Sequence, residues 1–146
     1  MKFVVVIIVF IISLPSWANK IGIGLSIGNP TGFNGKYWVD EKVAIDGGLA
    51  FSLGRHTELS IHSDYLLHNK SAFYLNNVHP LDLYYGLGGR MEFSDDIEIG
   101  VRVPVGLVYL VEAHNADIFS EIAPIVDFIS RTGLEIHLLF GGRYYF

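Results

Sequence analysis

Ser60, His62 and Asp64 follow one another at every second position, in the order nucleophile, base, orienting acid. A hydroxyl becomes a useful nucleophile only with a base in hydrogen-bond reach. At this spacing the three side chains share a face if the segment is a β-strand. Same-face neighbours on one strand stand about 7 Å apart, beyond hydrogen-bond reach unless the side chains lean together. His62, His68 and His137, with carboxylates near them, are of metal-ligating type, but no spacing among them is diagnostic. The chain has no cysteine, which removes thiolate ligation and disulfides. No catalytic, cofactor-binding or metal-ligating residue is assigned on this pattern, and no cofactor is expected.

The ionisable residues carry more information than the trio. Between 97 and 110, Glu98 and Arg102 share one parity with Gly100, Pro104 and Gly106, while Ile99, Val101, Val103, Val105, Leu107 and Tyr109 share the other. Between 134 and 146, Glu135, His137, Arg143 and Tyr145 oppose Leu134, Ile136, Leu138, Phe140, Tyr144 and Phe146. Asp117, Glu121 and Asp127 fall together, as do Asp82, Arg90 and Glu92. Each set reads as one face of a strand with period two. Every Asp, Glu, Lys and Arg after residue 18 then lies in a turn, at a terminus, or on the non-apolar face.

Turn-forming clusters delimit the elements: Asn29-Pro30-Thr31-Gly32, Asp40-Glu41-Lys42, Gly54-Arg55-His56, Ser94-Asp95-Asp96, Glu112 to Ala116, Ser130 to Gly133, and a longer polar stretch from Asn69 to His79. They predict eight strands near 20–28, 33–39, 43–53, 57–68, 80–93, 97–110, 117–128 and 134–146. Most are long enough for the roughly 9–11 residues that a tilted strand needs to cross a bilayer. Pro104 and Pro124 fall inside strands, where each removes a ladder donor and predicts a bulge or corner.

Residues 1–18 read as a cleaved signal peptide. Lys2 precedes an apolar run from Phe3 to Ile12, and Ser16-Trp17-Ala18 places small residues at a cleavage site. The run is too short for the about 20 residues of a spanning helix. Residues 19–146 form the single remaining domain. A net charge of −5, with no basic patch, argues against nucleic-acid binding.

Which way the faces point decides the class. In a soluble sheet protein the apolar face turns inward and the charged face meets water. Here the apolar faces are large and aromatic in almost every strand and would overfill a small barrel. The charged face is rich in glycine (22, 24, 48, 86, 88, 100, 106, 141) and poor in lysine. That suits a narrow interior where small residues make room for a few long ions. In lipid every backbone group must be paired, which forces the sheet to close. The fold class predicted is all-β: an eight-stranded antiparallel transmembrane β-barrel of up-and-down meander topology.

The last strand alternates aromatics and ends Gly141-Gly142-Arg143-Tyr144-Tyr145-Phe146. With the signal peptide and eight strands, it resembles the small OmpA/OmpX-like outer-membrane barrels over the whole length after the leader. The resemblance implies a Gram-negative outer membrane, a porin-like architecture, contact with outer-membrane lipids, and Tyr144 and Phe146 as a signal to the barrel-assembly machinery. It brings no activity. It also implies short periplasmic turns and long external loops, whereas strand parity puts short turns outside and the 69–79 connection on the periplasmic side. A Gly-Gly-Arg-x-x-Phe repeat at 88–93 and 141–146 reads as convergent barrel packing.

The inward charges predicted are Lys36, Arg90, Arg102 and Arg143 against Asp46, Glu58, Asp64, Asp82, Glu92, Glu98, Asp117, Glu121, Asp127 and Glu135. Hairpin geometry puts Lys36 opposite Asp46, Asp46 opposite Asp64, and Glu121 near Gly141 with Arg143 diagonal to it. Lys36, Asp46, Asp64, Arg90, Arg102, Glu121 and Arg143 are expected to form an ion network that plugs a monomeric barrel of structural or interaction role. The alternatives are a lipid-modifying enzyme, a lipid A or phospholipid acyl hydrolase or transferase, or a narrow channel.

Overall fold

The computed structural model describes residues 20–53, 57–129 and 132–146. The expected leader and the turns at 54–56 and 130–131 lie outside the described residues. The strands are β1 (Ile21–Asn29), β2 (Gly32–Trp38), β3 (Val43–Leu53), β4 (Thr57–Leu75), β5 (His79–Phe93), β6 (Ile97–Arg102), β7 (Val105–Val111), β8 (Ala116–Ile129) and β9 (Gly133–Tyr145). All pairings are antiparallel.

β6 and β7 are the halves of one strand. Both pair with β5 on one side and β8 on the other, in one continuous register: Gly88 with Arg102 and Tyr85 with Val105, then Arg102 with Ile125 and Val105 with Ile122. Counted so, eight strands form a ring, because β1 pairs with β2 and also with β9, from Gly22–Tyr145 to Asn29–Leu138. The ring is staggered. Partners followed from Gly22 through Lys36, Asp46, Asp64, Gly88, Arg102 and Ile125 arrive at Glu135, whereas Gly22 itself meets Tyr145 across the closing seam. This offset tilts the strands and fixes how much room is left inside.

The faces follow the sequence pattern. In β8, Asp117, Phe119, Glu121, Ala123, Ile125 and Asp127 are buried, and the residues between them are mostly exposed. In β9, His137, Leu139, Arg143 and Tyr145 are buried while Ile136, Leu138, Phe140 and Tyr144 are exposed. Interior glycines lie where a larger neighbour leans. A Cβ at Gly22 would meet the Tyr145 ring at 2.6–2.9 Å, and one at Gly141 the Phe119 ring at 2.8 Å. Gly88 underlies the Asp64 carboxylate, Gly106 the Tyr84 ring and Gly48 the His62 imidazole.

Two expectations are corrected. The prolines produce no bulge, because the register runs unshifted past both. The carbonyl of Pro104 accepts from the Gly86 amide at 3.0 Å, and that of Pro124 from the Val103 amide at 2.9 Å. The bulges lie elsewhere, between Asn69 and Phe73 in β4, and in β8 where Ile99 and Gly100 pair with Ile129 and Asp127. Nor is 69–79 a loop. β4 and β5 continue as a hairpin in which Phe73 pairs with Leu81 and Leu75 with His79. Asn76 and Asn77, at φ 51° and 58°, turn the chain, and the Val78 amide donates to the Leu75 carbonyl at 3.1 Å. This is a type I′ turn, whose left-handed positions favour asparagine.

At the end of the barrel carrying the termini, the other connections are equally compact. Asp40 Oδ1 accepts from the amides of Lys42 at 2.7 Å and Val43 at 2.8 Å. A 3₁₀ turn at Glu112–His114 closes on Asn115 in the left-handed region.

Candidate functional site

The most distinctive chemistry lies inside the ring, in three tiers. Nearest the termini, the Arg143 Nε donates to Asp117 at 3.0 and 3.2 Å, and the Tyr145 hydroxyl donates to Asp117 Oδ2 at 2.6 Å. The Arg143 guanidinium lies over the Phe119 ring at 4.2 Å. Beside it, Lys36 Nζ is 2.6 Å from His68 Nε2, and sits 4.5 Å above the Trp38 ring and 5.2 Å from the Tyr84 ring. Lys70 pairs with Asp82 at 3.4 Å.

The middle tier is built on Arg102, which has no exposure. Its Nη2 donates to Glu121 Oε1, and its Nε lies 3.0 Å from Asp64 Oδ1. The Tyr84 hydroxyl donates to the other Glu121 oxygen at 2.8 Å. Asp46 adjoins Asp64 across the β3–β4 ladder. Against this tier packs an apolar cluster of Leu66, Tyr84, Val108, Phe119 and Leu139.

At the far end, Arg90 gathers carboxylates. Its Nη2 donates to both Asp127 oxygens at 2.7 and 2.8 Å, and its Nη1 donates to Glu92 at 3.0 Å and Glu135 at 2.8 Å. Glu98 completes the group at 3.8 Å.

The structure therefore brings Asp46, Asp64, Arg102 and Glu121 together, and places Lys36 and Arg143 in the tier nearest the termini and Arg90 at the far end. The ladder sets Lys36 opposite Asp46 and Asp46 opposite Asp64, at the expected register. The last hairpin differs. Glu121 pairs with Leu139, and Arg143 lies opposite Asp117. The turn is centred one residue earlier than the sequence reading placed it, which keeps every face but moves each partner by two residues. Tyr84, Phe119 and Trp38 were missed as interior participants, and Tyr145, correctly placed on the inner face, was not expected in the ion network. The parity of the first three with Asp82, Asp117 and Lys36 was the available signal.

The Ser60–His62–Asp64 trio does share the inner face. His62 Nε2 and Asp64 Oδ2 are 3.8 Å apart, too far for a hydrogen bond, and the buried Ser60 Oγ has no hydrogen-bond partner among the described residues. No base is therefore wired to the hydroxyl. Tyr144 and Phe146 are both exposed on the outer side of the closing strand, with their rings edge to face at 5.6 Å.

No protein-family model matches the chain, and no curated protein matches it. Among solved structures, the chain is similar to the crystal structure of Neisserial surface protein A (NspA), over 86% of this chain and 93% of that chain, at 13% identity and a TM-score of 0.47. At that level the likeness carries no argument about function, and the closed ring of strands rests on its own hydrogen bonds.

Proposed function

We propose that the chain is an integral outer-membrane β-barrel with a structural or interaction role and an interior filled by side chains. One observation carries this reading: the outward positions of β6 to β9 hold no Asp, Glu, Lys or Arg, while Arg90, Arg102, Asp117, Glu121, Asp127 and Arg143 are buried inside. Ile27, Leu134, Leu138 and Phe140 are each more than half exposed. Such an apolar belt is far larger than the few hundred Å² that monomeric soluble proteins expose. A bilayer removes the problem, and a closed ring is the one sheet form that leaves no backbone group unpaired in lipid.

The reading includes export by a signal peptide cleaved after Ala18, and insertion by the barrel-assembly machinery with Tyr144 and Phe146 as its signal. It also includes outer-membrane lipids as the surrounding partner and a monomeric state. Strand parity then puts the short connections at 30–31 and 94–96 outside and the β4–β5 hairpin toward the periplasm. Little external surface is left for an adhesin or receptor. The Arg102 tier and the apolar cluster behind it oppose a channel, in keeping with eight-stranded barrels whose interiors side chains fill.

Reconstitution into planar bilayers tests the reading. The protein should insert, shown by a gel mobility that changes on boiling, and give no steady conductance. An ohmic open state would overturn the filled interior. Failure to enter lipid at all would overturn the membrane assignment.

A further inference from the structure

The middle tier contains more carboxylate than its cations neutralise. Arg102 serves both Asp64 and Glu121. Lys36, although opposite Asp46 in the ladder, turns its ammonium to His68. Asp46, only 8% exposed, is left with an Oδ1 that accepts no hydrogen bond. Two buried carboxylates side by side, one of them with no salt bridge to a cation among the described residues, are costly unless something positive joins them.

His62 supplies the missing kind of ligand. It lies opposite Gly48, and a Cβ there would meet the imidazole nitrogens at 2.9 and 3.0 Å, so the ring lies across the glycine toward β3. One ligand atom from each of Asp46, His62 and Asp64 falls within 4.8 Å of the others. Asp64 turns Oδ1 to Arg102 and Oδ2 toward His62 Nε2, 3.8 Å away. A tetrahedral ion with bonds of about 2.0–2.1 Å holds its ligands a little over 3 Å apart, so the three atoms need to draw together by no more than about 1.5 Å.

We propose that Asp46, His62 and Asp64 bind one divalent transition-metal ion of the zinc class inside the barrel. One imidazole and two carboxylates suit such an ion better than magnesium or calcium, which favour all-oxygen sites. The dication would neutralise the carboxylate pair and tie β3 to β4. The His62 side chain keeps 11% exposure, which gives the ion an approach. Binding is an addition to the barrel reading and does not depend on its physiological role.

The test uses the folded protein in detergent micelles, with Zn²⁺ followed by calorimetry and Co²⁺ by its visible absorption. Wild type should take up one ion per chain, and the unfolding midpoint should rise with metal concentration. His62→Phe and Asp46→Asn, each shown folded by heat-modifiable mobility, should weaken binding at least about ten-fold. His79→Phe, on the exposed hairpin, should leave it unchanged. No saturable uptake, or uptake that survives in His62→Phe and Asp46→Asn but is lost in His79→Phe, would overturn the site. So would wild-type stability that metal does not move, with Asp46→Asn raising it; the carboxylates would then share a proton instead.

Discussion

Replacing Arg102 with Met tests the interior most sharply. The side chain is fully buried and faces two carboxylates, Asp64 through Nε at 3.0 Å and Glu121 through Nη2. Met fills a similar volume, so cavity formation contributes little. What remains is two buried acids stripped of their cation. Removing one partner of a buried pair costs about 3–5 kcal/mol, because the other charge is left uncompensated. Replacing a whole buried ionic group by well-packed apolar side chains of similar volume is often neutral or stabilising. The triple variant Arg102→Met, Asp64→Leu, Glu121→Met should therefore recover most of the loss, to within about 1 kcal/mol of wild type. Urea unfolding from lipid vesicles, followed by heat-modifiable mobility, gives the three free energies, and the residues are close enough for strong coupling to be expected. A single variant losing less than about 1 kcal/mol, or a triple variant as unstable as the single, would refute the view that Arg102 compensates these acids.

Two further predictions follow from packing and from the turns. Gly88→Ala should destabilise by about 1–3 kcal/mol, since the new methyl runs into the Asp64 carboxylate, whereas Gly89→Ala, with its nearest neighbour 3.9 Å away, should stay within about 0.5 kcal/mol; equal midpoints for the two would contradict the packed interior. The amides of Lys42 and Val43 hold the Asp40 carboxyl below its usual range. A depressed folded value means that its contribution is present above the unfolded value of about 3.9 and disappears as pH falls through the lower, folded one. Carbon-detected NMR should show Asp40 titrating below a free aspartate, and a midpoint at or above that value would remove the turn's role.

The faces were legible because charge and alternation agree. In 97–110, 117–128 and 134–146 no charged residue breaks the apolar parity, so one choice of phase orients each strand. The interior glycines were legible for a related reason, since a narrow ring needs a small residue wherever Tyr84, Asp64 or His62 leans across. Partner identity was less so. A turn centre misplaced by one residue leaves the pattern intact yet gives Arg143 to Glu121 instead of Asp117. The β4–β5 hairpin was missed because Asn69, Lys70 and Ser71 look like loop chemistry. There the ladder holds on both sides of a bulge that breaks period two, and a pattern reading has nothing to follow. Pro104 misled in the opposite direction: its missing donor interrupts the strand while the neighbouring bonds keep the register.

The central claim is that charge points into the ring and apolar side chains point into lipid. The chain lacks native cysteine, so single cysteines from 134 to 140 can carry a small fluorophore in a barrel reconstituted with brominated lipid. Labels at 136, 138 and 140 should be quenched strongly, and labels at 135, 137 and 139 weakly, in strict alternation. Quenching in the opposite phase, or none at any position, would contradict the account.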